Sequence, residues 1–326
     1  MNVAVVMGGY SQESDISIKS GQLIINNLDS QKYNVFEVHI LKEGWFLIHH
    51  NQQIPLNKAD FSVMINQQKI EFDVVVNTIH GTPGEDGQLQ AYWKLLGMPY
   101  TGCDFYQSAL TFNKRDTLSV LSKYDVPKAK SIYLNQGDEV DIDHIVNTLG
   151  LPLFVKANRS GSSFGVYKVS EAKDLLSAVN QAFEIDNQVL IEASLVGREM
   201  SVGVIKKDGV TTVVGVTEII SENDFFDYDA KYKGKAKEVT PADISEEIYN
   251  KIELLTIKIY NTLEMRGFSR IDYIIQDGEP YFIEINTNPG LSPASIFPQQ
   301  VAYRGWRFSE LLDSEINQAI AVSKEK

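Results

Sequence analysis

The stretch from Gly267 to Gly290, GFSRIDYIIQDGEPYFIEINTNPG, reads as two β-rich runs joined at Asp277-Gly278. Asp-Gly between such runs is a strong hairpin signal, because the tight turn needs positive φ at both positions. The second run starts as a good buried strand, Tyr281-Phe282-Ile283, and then spends alternate positions on Glu284, Asn286 and Asn288. Strand side chains alternate faces, so these three share one side, and by parity Phe282 begins that same side. A buried carboxylate is costly unless it is paired or bound to a cation. If the hairpin closes at Asp277-Gly278, Asp272 lies near the level of Glu284. Two acids and an amide oxygen then converge, the hard ligands that Mg²⁺ takes together with waters and substrate phosphates. The other reading is an exposed edge strand with solvated acids; the apolar flanks argue for burial.

Working outward, the chain has 326 residues, 43% hydrophobic and 22% charged, enough for two or three domains with ample core. A net charge of -13 argues against a general nucleic-acid or anionic-membrane binder, so an anionic ligand must be held by a local cluster of Lys and Arg. Cys103 is the single cysteine, which excludes an internal disulfide and a Cys-rich zinc site and fits a reducing cytoplasm. The start, MNVAVVMGG, lacks a basic region and is interrupted by Gly8-Gly9, so it reads as a first strand and not as a signal segment. No run of about 18 apolar residues suggests a membrane span.

Three units follow in order. Residues 1–115 alternate strands (NVAVVMGG, YNVFEVHIL, FDVVVNTIHG) with helices (SDISIKSGQLIINNLD, EDGQLQAYWKLLG), the pattern of a parallel α/β sheet covered on both faces. Ligands of such sheets sit at the carboxyl ends of the strands, where GGYSQES and HGTPGEDG, with His80, fall. Residues 116–200 hold PLFVKANR, the loop SGSSFG, VYKV and VLIEASL. Residues 201–326 hold two hairpins and helices, an α+β style, with a polar-aromatic loop at 221–242 that reads as a mobile lid.

The sequence VKANRSGSSFGV puts Lys156 near the end of an apolar strand, followed by small hydroxyl residues and glycine whose backbone amides can cradle phosphate. It is not a Walker A sequence. Glu192, Leu195 and Glu199 at the end of another apolar strand can hold an adenine in a slot and ribose hydroxyls by hydrogen bonds. Each feature alone also has a plain reading: turn glycines, a surface loop, strand-end acids in salt bridges, a structural histidine.

Together, HGTPGEDG, VKANRSGSSFGV, FDYDAKY, SRIDY and FIEINTNPGLS, in this order and spacing, resemble the D-alanine–D-alanine ligases of the ATP-grasp superfamily. The likeness runs from GGYSQESDIS to the C-terminal helix. It implies a three-domain ATP-grasp architecture with an N-terminal parallel-sheet domain. It further implies ATP and Mg²⁺ (or Mn²⁺), two ions, as cofactors, two D-alanines as substrates, and a cytoplasmic homodimer in peptidoglycan precursor synthesis.

Position by position, the resemblance makes Asp272, Glu284 and Asn286 the metal ligands. Lys114, Lys156 and Lys231 become the lysines on the ATP phosphates, Glu192 and Leu195 adenine contacts, and Glu199 the ribose contact. Glu13 receives the ammonium of the first D-alanine, with Ser162 and Tyr232 as its partners and His80 in the same pocket. Arg270 and the Gly290 N–H stabilise the oxyanion, and Ser295 with Ile296 binds the carboxylate of the second D-alanine. Phe226 stands where a tyrosine is frequent, and LSPAS, with Pro293, where a threonine-containing stretch is usual; Tyr232 favours an amine as second substrate. Two further ligase readings remain, another ATP-grasp enzyme joining a different acid and amine, or one using D-serine. A nucleotide-dependent oxidoreductase fails because GGYSQES is not GxGxxG. A binding-only regulator would have no need of Arg270.

Overall fold

The structure, a computed structural model, describes residues 1–221, 236–292 and 294–324. Lys231, Tyr232, Phe226 and Pro293, and most of the expected lid, therefore lie outside the described residues.

Strands β1 (Asn2–Gly8), β2 (Asn34–Leu41), β3 (Gly44–His49), β4 (Gln52–Pro55), β5 (Val63–Ile65), β6 (Gln68–Ile70) and β7 (Val74–Asn77) build the N-terminal part. The main sheet has the order β4-β3-β2-β1-β7, and β5 and β6 form a separate two-stranded sheet. β1 is parallel to both β2 and β7, as the alternation with helices predicts. The sheet is mixed, however: β3 and β4 add antiparallel, at an edge that the helix–strand rhythm does not announce. The turn between them, His50-Asn51, has positive φ at both residues and no glycine, so the usual hairpin signature is missing.

Strands β8 (Ser131–Asn135), β9 (Leu153–Ala157), β10 (Val166–Val169) and β11 (Gln188–Ala193) form an antiparallel sheet, order β10-β9-β11-β8. Helices Ile142–Leu149 and Leu175–Phe183 close its core through Ile145, Leu149, Leu175 and Val179. The last sheet orders β12 (Arg198–Lys207), β13 (Val210–Ser221), β14 (Ala236–Val239), β15 (Ser269–Gln276) and β16 (Glu279–Asn286) as β14-β13-β12-β15-β16. Helix Glu246–Thr262 starts at Ser245, whose hydroxyl accepts from the Ile248 N–H, the usual means of satisfying an orphan amide. It buries Ile252, Thr256, Ile259 and Tyr260, one stripe at helical spacing, against Met200, Val202, Ile271, Tyr273 and Phe282.

The hairpin turns where the sequence predicts, with Asp277 at φ 52° and Gly278 at φ 77°. Its register puts Asp272 opposite Glu284 and Arg270 opposite Asn286. One expectation fails: Tyr273 pairs with Phe282, so Ile283 is an extra residue and Phe282 joins Tyr273 and Ile285 in the core, on the face opposite Glu284. A one-residue bulge reverses parity along a strand. It lets an aromatic anchor the hairpin below while acids project above.

The other face of this sheet and the N-terminal sheet share one core. Val3, Val5 and Met7 meet Phe297 and Val301 of helix Ile296–Tyr303, and Leu311, Leu312 and Ile316 of helix Phe308–Lys324. Glu315 sits at this seam, 5% exposed, beside a cavity of about 30 Å³ shared with Gln90, Cys103 and Ser108. Burial pushes its carboxyl from an ordinary 4.5 up to about 8, against the pull of Arg266. A carboxyl whose pKa rises on folding holds its proton better folded than unfolded. Its contribution to stability is therefore whole below about pH 4.5 and is lost as pH climbs toward about 8. Glu315→Gln is expected to match the wild type in stability near pH 4.5 and to exceed it by ~5 kcal/mol at pH 9. Parallel melting curves across that range would contradict this.

Candidate active site

The carboxyl-proximal hairpin supplies one wall of the site. On its upper face Asp272, 6% exposed, collects hydrogen bonds from three residues. Arg270 donates from Nε to Oδ1 and from Nη2 to Oδ2, both at 3.1 Å. Ser201 donates its hydroxyl to Oδ1 at 2.7 Å, and Asn286 its amide nitrogen to Oδ2 at 3.3 Å. The Asn286 amide oxygen is thus the atom left for a cation. Glu284 lies beside Asp272 in register, with its Oε2 3.5 Å from Lys114 Nζ. Among the described residues there is no cluster of three or more His, Cys, Asp or Glu that would hold a metal by itself. Two neighbouring carboxylates and an amide oxygen still fit Mg²⁺, which is commonly held by one or two carboxylates and completed by phosphate oxygens.

Between this hairpin and the middle sheet opens a cavity of about 420 Å³. Lys114, Lys156, Glu192, Leu195, Glu199, Asp272 and Glu284 all line it. It is therefore one site that gathers residues spread from position 114 to position 284. Phe154, Val166, Ile274 and Ile283 give it apolar walls, suited to a flat ring. Lys156 points from β9 to Glu192 on β11, with Nζ 2.6 Å from Oε2. Burial alone would lower the Lys156 ammonium, but Glu192 beside it outweighs burial and holds it above its ordinary value, so it stays charged. Arg198 is bound through Nε and Nη2 to Glu218, at 2.7 Å each.

Lys114, the first residue of helix Lys114–Leu121, also donates to Ser160 O at 2.6 Å. It links the large cavity to a small adjoining one of about 30 Å³, lined by Glu85, Ser160, Gly161, Glu284 and Asn286. Here the loop after β9 turns through Ser162 and Ser163, at φ 49° and 58°, a conformation uncommon for residues with a Cβ. The Ser162 hydroxyl donates to Glu13 Oε1, and a Cβ on Gly161 would come within 3.1 Å of Glu13 Oε2. Glu13 directly precedes helix Ser14–Asn27, and its backbone carbonyl, not its side chain, accepts from the first turn. The contact thus joins the N-terminal sheet to the middle sheet.

His80 follows β7, 5% exposed, and its Nε2 is buried with no hydrogen-bond partner among the described residues. Burial holds its pKa below the ordinary value, although the Glu13 carboxylate pulls the other way. The ring is neutral at pH 7. Asn288 donates to Ile79 O at 2.9 Å and so fastens the end of the hairpin to the His80 loop. Gly290 leaves room for Ser295, because a Cβ there would lie 2.9 Å from its Oγ. Ser295 sits before helix Ile296–Tyr303, its hydroxyl 2.8 Å from that of Ser292. The Ile296 side chain is buried, so only its backbone can meet a ligand.

Two residues escaped the sequence reading. Glu85 accepts from the Gly81 N–H at 2.6 Å, and burial, with Glu13 adding to it, pushes its carboxyl up to about 8. It lies inside HGTPGEDG, where the run of turn residues drew attention away from its acid. Ser201 gives no sequence signal, since a serine in a strand looks like any other.

This arrangement can bind a nucleotide with its phosphates toward Lys114 and Glu284, and can hold an ammonium group at Glu13 a short distance beyond them. Family models described as D-ala D-ala ligase N-terminus and C-terminus match residues 2–103 and 120–317. The chain is 60% identical over 321 residues to a D-alanine–D-alanine ligase of Flavobacterium psychrophilum, covering 98% of each. It superposes on the VanG D-Ala:D-Ser ligase of Enterococcus faecalis with a TM-score of 0.87 and 31% identity, covering 98% and 99% of the two chains. With the Bacillus anthracis D-alanine–D-alanine ligase complexed with ATP the TM-score is 0.81 at 28% identity, covering 100% and 99%. No helix among the described residues is long and apolar enough to cross a membrane.

Proposed function

The chain belongs to the family of D-alanine–D-alanine ligases, and from that premise we infer how its cavities carry out the joining of two D-alanines at the expense of ATP. The observation that carries the reading is the alignment of three groups. Asp272, Glu284 and Lys114 line the large cavity, Glu284 and Lys114 also line the small one, and Gly161 in the small one abuts Glu13, which Ser162 holds.

ATP binds with its adenine between the apolar walls near Leu195, its ribose at Glu199, and its phosphates toward Lys114 and Lys156. Asp272, Glu284 and Asn286 would hold the magnesium or manganese ions, two in this reading, that neutralise phosphate charge. The first D-alanine places its ammonium on Glu13, which Ser162 orients, with the neutral His80 ring in the same pocket. Its carboxylate oxygen attacks the γ-phosphorus, and the bond from that phosphorus to the β–γ bridging oxygen breaks to release ADP. An acyl phosphate results. Catalysis of this kind of transfer is mostly positioning and charge neutralisation.

The amine of the second D-alanine, its carboxylate held at Ser295 and the Ile296 backbone, then attacks the acyl carbon. Arg270 and the Gly290 N–H face the oxyanion, phosphate leaves, and the nitrogen gives up its proton to yield D-alanyl-D-alanine. The product serves peptidoglycan precursor synthesis in the cytoplasm, where ATP is available. The reading extends to a homodimer through the N-terminal part, on which Leu95, Phe105 and Tyr106 are exposed.

Mass analysis of products after incubation with ATP, Mg²⁺ and D-alanine, with and without D-serine or D-lactate, tests this directly. D-alanyl-D-alanine with ADP and phosphate is expected from D-alanine alone. A chain that makes only the mixed D-alanyl-D-serine product would overturn the assignment of the second substrate.

A further inference from the structure

Across the last sheet, one row of directly opposed residues runs Thr217, Ser201, Asp272, Glu284. Opposed residues face the same side, so this row ends at the proposed metal ligands. Over its other end lies Gln300, fully buried, on the helix Ile296–Tyr303. Its Nε2 donates to the Ser201 carbonyl at 2.9 Å and to the Thr217 hydroxyl at 3.0 Å. The Thr217 and Thr240 hydroxyls lie 2.7 Å apart. Having accepted from Gln300, the Thr217 hydroxyl keeps a proton and a second lone pair, so either oxygen of this pair can be the donor. Ser201 in turn must donate to Asp272, because a carboxylate only accepts.

The sheet is cut to admit this side chain. Gly203 and Gly215 are opposed to one another, one step along from Ser201 and Thr217 on the same face. A Cβ on Gly203 would lie 2.2 Å from Gln300 Oε1, and one on Gly215 would lie 3.0 Å from its Cβ. Glycine within strands weakens them, and Gln300 Oε1 finds no hydrogen-bond partner among the described residues. On the same helix Phe297 and Val301 fill their places with apolar groups. A methionine would fill this one too. A buried amide with one unpaired end, bought by two strand glycines, is not what packing alone selects.

We propose that Gln300 is a positioning residue: it ties the helix that begins at Ser295 and Ile296 to the Thr217–Ser201 end of the row, and through Ser201 to Asp272, so that the second amino acid and the activated carboxyl are held in one fixed geometry. The proposal rests on the function inferred above. It touches no reacting atom and acts through the Ser201 backbone and the Thr217 hydroxyl.

The test compares Gln300→Met and Thr217→Val with the wild type in steady-state kinetics and thermal melts. Gln300→Met is expected to fold and melt close to the wild type, and to raise the half-saturating D-alanine concentration by ~10-fold while the KM for ATP stays within ~2-fold. Thr217→Val, which removes one of the two acceptors, should move D-alanine half-saturation the same way by a smaller factor. A folded Gln300→Met enzyme with D-alanine saturation unchanged overturns the proposal. A Gln300→Met chain that does not fold also counts against it, because the amide would then be a requirement of the fold; so does a Thr217→Val enzyme whose ATP and D-alanine constants shift equally. Failure of the underlying reading is distinct, since the wild-type protein would then make no dipeptide from D-alanine.

Discussion

Asp272→Asn is expected to leave the protein folded and to reduce turnover by ~10³-fold or more, a loss of ~4 kcal/mol in transition-state stabilisation. The substitution keeps shape and removes one negative charge. The Ser201 hydroxyl can still find an oxygen there. The second position fares worse, because an amide nitrogen would face the Arg270 guanidinium and the Asn286 amide, both donors that now point at Asp272 Oδ2. A donor facing donors leaves buried groups unpaired. Glu284 alone would remain as a carboxylate beside the phosphates, and the KM for ATP should rise together with the fall in kcat. Circular dichroism and melting curves close to the wild type would show that the loss is chemical. Wild-type turnover in a folded Asp272→Asn enzyme would remove the metal role from this residue.

Arg270→Met is expected to separate the same two parameters. Arg270 does not line the large cavity, and its proposed work is on the oxyanion of the second step. Loss of one such donor costs ~10²–10³ in kcat. The KM for ATP should change little, in contrast to Asp272→Asn. The two-point contact with Asp272 also goes, so the carboxylate becomes looser and some of the loss will come through it. A double variant should therefore lose less than the product of the two single losses, the mark of residues that work as one unit. Equal rises in the KM for ATP in both single variants would place Arg270 with the nucleotide instead.

Much of this site could be read before any coordinates. The Asp-Gly turn fixed the hairpin, and the hairpin fixed the level of Asp272 against Glu284, because turn chemistry is local and register follows from it. Lys114, Lys156, Glu192 and Glu199 meet in one cavity as the order of motifs suggests. What stayed hidden is non-local or rule-breaking. The bulge at Ile283 reversed the side assigned to Phe282, since nothing in Phe282-Ile283-Glu284 marks an extra residue. β3 and β4 went unnoticed because their turn has no glycine. Glu85 looks like part of a turn until burial gives it a raised pKa. Gln300 gives no signal at all on its helix, because its meaning lies in two glycines about a hundred residues upstream on other strands.

The central claim is that the groups around Asp272, Glu284 and Lys114 serve to phosphorylate an amino-acid carboxyl. Isotope transfer tests it most directly. D-alanine carrying ¹⁸O in both carboxyl oxygens is turned over with ATP and Mg²⁺, and the inorganic phosphate is analysed by mass. One ¹⁸O per phosphate is predicted, because the oxygen that attacks the γ-phosphorus leaves with it when the amine closes the peptide bond. Phosphate free of ¹⁸O, or label appearing in AMP, would contradict the account.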